Sequence, residues 1–161
     1  MRIIGIDPGS RVTGYGVIAC QGSEIGFITC GTIRMQREAD FSQRLLMIFA
    51  GLSEVIAEHR PDVAAVEDVF MAHNPRSALK LGQARGAAIV AAKNNKLPVF
   101  DYSPRKVKQA VAGYGQAEKS QVQEMVKVLL ELSAVPSSDA SDTLAVAICH
   151  SNHLHTISFT G

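Results

Sequence analysis

Asp139 and Asp142 stand three residues apart in Pro136-Ser-Ser-Asp-Ala-Ser-Asp-Thr-Leu144, so on a helix they share a face and can point at one target. Asp7 lies where the short apolar run Arg2 to Ile6 meets Asp7-Pro-Gly-Ser10, a turn sequence that puts a side chain at the edge of a sheet. Glu67 sits inside Val63-Ala-Ala-Val-Glu-Asp-Val-Phe70, where a carboxylate would be desolvated unless a cation or hydrogen-bond donors met it. Each acid also has a plainer use. Asp7 can cap turn amides, Glu67 and Asp68 can both face water if the strand frays, and an Asp near a helix start favours the dipole, with Ser137 or Ser138 as N-cap.

The four acids say more together than singly. An acid on strand 1, one on strand 4 and two on a C-terminal helix can converge at the carboxyl ends of neighbouring parallel strands, where ligands of open α/β sheets bind. Clustered carboxylates raise one another's pKa values unless cations relieve the repulsion. An all-oxygen set suits Mg²⁺, or Mn²⁺, better than zinc. Two such ions about 3.5 to 4 Å apart can activate water on one side of a phosphodiester and stabilise the leaving oxygen on the other. Zinc has no pattern here: His150, His153 and His155 crowd the C-terminus without matching cysteine spacing, and His59 and His73 are isolated. Gly9, Gly14 and Gly16 lack the Gly-Lys-Ser/Thr ending of a P-loop.

Positioning these acids requires a sheet and helices. A hairpin of Arg2–Ile6 and Gly14–Cys20 with a third run at Ile25–Ile33 predicts a three-stranded meander. Phe41, Leu45, Ile48, Leu52, Val55 and Ile56 recur at helical steps before Arg60-Pro61. Val63–Phe70 reads as the buried strand of a crossover. Pro75–Asn95 forms an Ala-rich helix in which Gly82 and Gly86, four apart, suggest close packing against another element. Leu97–Tyr102 is the fifth strand, followed by helices at 103–112, 117–132 and 137 to about 153, with a frayed tail beyond. The class is therefore α/β, a mixed five-stranded sheet with helices on both faces, in one domain spanning residues 1–161.

The 161 residues are 47% apolar and 19% charged, the composition of an ordinary globular protein. The N-terminus lacks the pattern of a signal peptide and no apolar run reaches a membrane span. Cys20, Cys30 and Cys149 fit neither a disulfide framework nor a zinc site, which points to a reducing, cytoplasmic setting. The net charge of +1 hides a segregation: residues 71–130 hold ten Lys or Arg against three Asp or Glu, while the remainder holds six basic and twelve acidic residues. Such a lopsided stretch is either a set of solvated helix faces or a surface for a polyanion.

Five blocks carry a family likeness: Gly5-Ile-Asp-Pro-Gly-Ser-Arg-Val-Thr-Gly-Tyr-Gly16, Val66-Glu-Asp-Val-Phe-Met71, Ser77-Ala-Leu-Lys-Leu-Gly-Gln-Ala-Arg-Gly86, Ala117-Glu-Lys-Ser-Gln-Val122 and Asp139-Ala-Ser-Asp-Thr-Leu-Ala145. In this order, across about residues 1 to 150, they resemble the RuvC family of bacterial Holliday junction resolvases. The resemblance implies a ribonuclease H-like fold, a homodimer, and metal-dependent hydrolysis of phosphodiesters in two like-polarity strands of a four-way DNA junction. Symmetric nicks with 5′-phosphate and 3′-hydroxyl ends would follow, in recombination and repair alongside RuvA and RuvB. It also implies that Asp7, Glu67, Asp139 and Asp142 are the metal ligands, for Mg²⁺ or Mn²⁺ at two ions per subunit. Lys108 and Lys119 fall on basic positions near the scissile phosphate. Phe70 matches an aromatic that stacks on a base, worth about 1 to 3 kcal/mol, unless it packs in the core. Arg76, Lys80 and Arg85 match positions bordering the DNA, with plain solvation as the alternative for each. Competing readings are an actin or sugar-kinase type ATP-binding fold, a ribonuclease H-type nuclease on another nucleic acid, and a junction binder that does not cut. The single Asp-Pro-Gly hairpin argues against the first, and four intact acids, which repel phosphates, argue against the last.

Overall fold

Strand β1 (Arg2–Asp7) is the hinge of the architecture, because it pairs antiparallel with β2 (Val12–Gln21) on one edge and parallel with β4 (Val63–Glu67) on the other. Strands β3 (Glu24–Arg34) and β5 (Val99–Tyr102) complete a five-stranded sheet in the order β3-β2-β1-β4-β5. The computed structural model describes residues 1–68 and 74–160. Helices α1 (Phe41–His59) and α2 (Pro75–Asn94) cover one face; α3 (Pro104–Ala112), α4 (Lys119–Leu129) and α5 (Ser138–Thr160) cover the other. This is the mixed sheet with helices on both faces that the alternation of segments predicts.

Side-chain alternation divides the core in two. Ile3, Val63, Ala65 and Tyr102 pack with Val107, Val122, Val126, Leu144 and Ile148. Ile4, Ile6, Ala64 and Val66 pack with Ile48, Leu52, Ala84, Ala88 and Ala91. The odd-numbered residues of β1 and β4 therefore face α5, and Asp7 and Glu67 share that parity. A buried hydrogen bond of 2.6 Å between Tyr102 Oη and His150 Nδ1 fastens β5 to α5.

Caps set the helix limits. Asp40 accepts from the Gln43 N–H at 2.7 Å, and α1 ends at Arg60, which turns left-handed ahead of Pro61. Asn74 and Ser103 cap α2 and α3, each followed by a proline in the first turn. Glu118 and Gln121 form a capping box on α4.

Three expectations change. Strand β4 ends at Glu67, and Phe70 lies outside the described residues. Helix α5 continues to Thr160, past the expected end near residue 153, with Leu154 packed on the core and Thr156 and Ser158 bonded back to the carbonyls of Asn152 and Leu154. Gly82 and Gly86 are not at a close contact, since a Cβ on either would meet nothing within 4 Å among the described residues. The tight helix packing falls on Ala84, Ala88, Ala91 and Ala92 instead. Among the described residues no helix is long and apolar enough to cross a membrane.

Candidate active site

The parallel register of β1 and β4 sets Ile6 beside Val66, so Asp7 and Glu67, one residue further on, emerge together from adjacent strand ends on the α5 side. Helix α5 then has to come close. Its first turn is capped by Ser137, whose Oγ accepts from the Ala140 N–H at 3.2 Å, and Thr143 Oγ1 donates to the Ala140 carbonyl at 2.8 Å. The sheet face beneath the helix carries glycine at Gly5, Gly14 and Gly16. A Cβ on Gly5 would lie 2.1 Å from the Thr143 carbonyl oxygen, and one on Gly14, the cross-strand partner of Asp7, would lie 2.7 Å from Thr143 Cγ2. These glycines let the helix settle on the sheet and carry Asp142 into the neighbourhood of Asp7 and Glu67.

The electrostatics record that convergence. Burial pushes Asp7 up to about 6, helped by Asp142 and then Asp139, against the pull of Lys119. Burial likewise pushes Glu67 up to about 8, with Asp7 and Asp142 adding to it and Lys119 and Lys108 opposing. Asp142 is also raised, chiefly by burial, although Lys119 Nζ stands 3.3 Å from its Oδ2. Desolvation outweighs the ion pair because the lysine side chain is 65% exposed and its charge is shared with solvent. Asp139 is exposed at the rim, on the first turn of α5.

A cavity of about 480 Å³ opens beside these groups, lined by Glu67, Lys108, Gln116, Lys119 and Asp142 among others. It adjoins a second hollow of about 580 Å³ that shares Lys108 and Gln116 and adds Ser103 and Arg105. A further cavity of about 530 Å³ near Glu24, Glu131 and Asn152 contains none of the four acids and lies away from this chemistry. Among the described residues no three His, Cys, Asp or Glu side chains are grouped so that they could hold a metal ion as they stand. The donor chemistry nonetheless fits a hard cation. Two partly buried carboxylates raised chiefly by burial, with neighbouring acids adding to it, are groups that a divalent ion would stabilise in their charged form.

The remaining expected residues separate. Lys108 of α3 and Lys119 of α4 join the acids. Arg76 is exposed on the first turn of α2, and Lys80 lies with its Nζ 5.8 Å from the centroid of the Phe41 ring. Arg85 turns inward, its guanidinium shared between Asp68 and Asp101. Sequence reading missed Gly5, Gly14 and Thr143 as the docking bed of α5. The available signal was Gly14 and Gly16 two apart on a strand, which places both on one face.

The model of the family crossover junction endodeoxyribonuclease RuvC matches residues 3–150. The protein of that name from Citrifermentans bemidjiense is 61% identical over 152 residues, 94% of this chain and 93% of that one. Its namesake from Cronobacter sakazakii is 61% identical over 148 residues, 92% and 85% of the two chains. The structure of Thermus thermophilus RuvC in complex with Holliday junction substrate superposes with a TM-score of 0.92 at 35% identity, over 98% of this chain and 97% of that one. With the family model, the sequence relatives and the superposed structure all agreeing, the chain belongs to the RuvC family of Holliday junction-resolving endonucleases.

Proposed function

We propose that residues 1–161 act as one nuclease domain in which Asp7, Glu67, Asp139 and Asp142 bind Mg²⁺, two ions per subunit, with Mn²⁺ able to replace it. The family is Mg²⁺-dependent. The observation that carries the reading is the lifted pKa of Asp7 and Glu67 at neighbouring parallel strand ends facing α5. Bound there, Mg²⁺ supplies a Lewis acid that lowers the pKa of water and offsets charge on a phosphodiester.

The chain's own groups do the rest. Lys119 and Lys108 flank the acids and place cationic donors where a phosphate must pass, so that polyanion and carboxylates can share one cavity. Lys119, paired with Asp142 at 3.3 Å, would turn to a phosphate when one is bound, leaving the Asp142 carboxylate able to hold the ion. Arg76 and Lys80 extend positive charge along α2 toward a DNA arm. Phe70 is assigned to base stacking by family likeness alone, as it lies outside the described residues.

Enzymes of this family work as homodimers, in concert with RuvA and RuvB, and we assign both to this chain. A two-fold dimer matches the symmetry of a four-way junction and brings one site to each of two like-polarity strands. The α2 face with exposed Leu79 and Val90 and the uncovered Gly82 and Gly86 supports a dimer contact there, since the four recur at helical spacing. The products are symmetric nicks with 5′-phosphate and 3′-hydroxyl ends.

The test is cleavage of a synthetic mobile four-way junction beside linear duplex and RNA:DNA hybrid. Paired, ligatable nicks that require Mg²⁺ and vanish in Asp7→Asn while junction binding persists are expected. Cleavage of the hybrid alone, or unchanged cutting by Asp7→Asn, would defeat the reading.

A further inference from the structure

Asp68 follows Glu67 and, by strand alternation, points to the opposite face of the sheet, toward α2. Its backbone N–H donates to the Tyr102 carbonyl at 2.8 Å, continuing the β4–β5 ladder one step past Glu67. Asp101 on β5 pairs opposite Val66 and shares the face of Val99, which is again the α2 side. Between these two carboxylates lies Arg85 of α2. Its Nε is 3.6 Å from Asp68 Oδ1, and a terminal nitrogen pairs with Asp101 Oδ1. The arginine side chain is only 21% exposed, against 46% and 52% for the two acids. Its buried Nε makes no hydrogen bond among the described residues, so its tie to Asp68 is one of charge and not of direction.

We propose that Arg85 is a positioning residue for Glu67 and not a contact for DNA. Two carboxylates around one guanidinium leave a net negative cluster, which does not attract a phosphate. What the cluster does is join three elements directly behind the site: the exit of β4, the middle of β5, and α2. Glu67 reaches the site from the last residue of β4, so its aim depends on how that strand end is held. Small displacements of an aligned group lose large factors in rate, roughly a hundredfold for 1 Å. Loss of Arg85 also leaves Asp68 and Asp101 to repel across the β4–β5 edge. The inference rests on Glu67 serving in the site as proposed above.

The test compares Arg85→Ala, Arg85→Lys, Asp101→Asn and Asp68→Asn with Glu67→Gln as the site control. The readouts are junction affinity, cleavage at saturating junction, and Mn²⁺ affinity of the protein alone by electron paramagnetic resonance of the free ion. Arg85→Ala is expected to lower saturated cleavage by roughly tenfold or more and to weaken Mn²⁺ binding several-fold, with junction affinity within about twofold of wild type. Asp101→Asn should move cleavage and Mn²⁺ affinity in the same direction, and Arg85→Lys should recover part of the loss. If Arg85→Ala does not fold, Asp101→Asn and Asp68→Asn, which keep side-chain size, carry the comparison. Tighter junction binding in Asp101→Asn or Asp68→Asn with cleavage and Mn²⁺ affinity unchanged would overturn the proposal, because freeing a DNA-contacting arginine does that. Weakened junction binding in Arg85→Ala with intact saturated cleavage would overturn it too. Unchanged cleavage and Mn²⁺ binding in Glu67→Gln would instead remove the site reading on which it rests.

Discussion

Lys119 Nζ lies 3.3 Å from Asp142 Oδ2, yet Asp142 still titrates above the ordinary aspartate range, because burial outweighs the ion pair. Lys119 also opens α4 at its N-terminus, where the helix dipole disfavours a cation. A cation held there against the dipole is poised to exchange partners. Replacing Lys119 by Met should reduce the slope of junction affinity against salt by about one unit, the signature of one lost phosphate contact. Cleavage should fall by roughly a hundredfold while Mg²⁺ affinity of the protein alone rises, since a competing positive charge has gone. Titrations at several salt concentrations and calorimetry check the two halves; weaker Mg²⁺ binding in the variant would contradict the exchange.

The clustered acids strain the metal-free protein. Glu67 is raised to about 8 and Asp7 to about 6, chiefly by burial. The folded chain thus holds protons that the unfolded chain releases near pH 4, so the stabilising contribution is complete below that pH and is lost as pH rises through 6 and toward 8. In EDTA, Glu67→Gln should therefore melt higher than wild type at pH 8, by on the order of 5 °C, and the difference should shrink by pH 5. Mg²⁺ should raise the melting temperature of wild type more than that of the variant. Scanning calorimetry at both pH values tests this, and a variant that melts lower at pH 8 would contradict it.

His150 sets an acid limit independent of the site. It is 1% exposed and bonded to Tyr102, and burial, with His153 adding to it, lowers its pKa to about 4. Here the unfolded chain binds the extra proton, so stability is complete above about pH 6.5 and is lost as pH falls toward 4. The loss is on the order of 3 kcal/mol. His150→Gln should be less stable at neutral pH but should lose far less between pH 6.5 and 4, as urea denaturation at each pH would report.

Much of this fold is legible in the sequence. The acids at strand ends and the Asp139/Asp142 pair marked the candidate site, since a carboxylate buried at the end of an apolar strand is costly without a cation or donors to meet it. The strand and helix periods gave the sheet and its two helical layers. Arg85 was not legible, because its partners Asp68 and Asp101 lie in other segments and only the sheet register sets them on one face. Gly82 and Gly86 were legible only in part: their spacing marks a helix face, but not whether an element of the same chain covers it. The continuation of α5 to Thr160 was hidden as well, because Thr and Ser have weak helix propensity, while in the fold their hydroxyls bond back to the carbonyls of the preceding turn and Leu154 packs on the core.

The seating of α5 on the sheet gives the last prediction. A methyl group at Gly14 would press to 2.7 Å on Thr143 Cγ2, next to Asp7 and the Asp139 carbonyl. Something must move, and the soft coordinate is the helix that carries Asp139 and Asp142. Gly14→Ala should therefore destabilise by about 1 to 3 kcal/mol through overpacking and lower cleavage further than its stability loss explains. Thr143→Ser removes that methyl but keeps the hydroxyl that bonds Ala140, so adding it to Gly14→Ala should restore both stability and cleavage in part. The coupling between the two changes should be about 1 kcal/mol in a double-mutant cycle. Additive losses would mean that Gly14 is required for strand conformation and not for the approach of the helix. At Gly5 no such rescue exists, because the obstacle is the Thr143 backbone oxygen at 2.1 Å, and Gly5→Ala should stay defective with either residue at position 143.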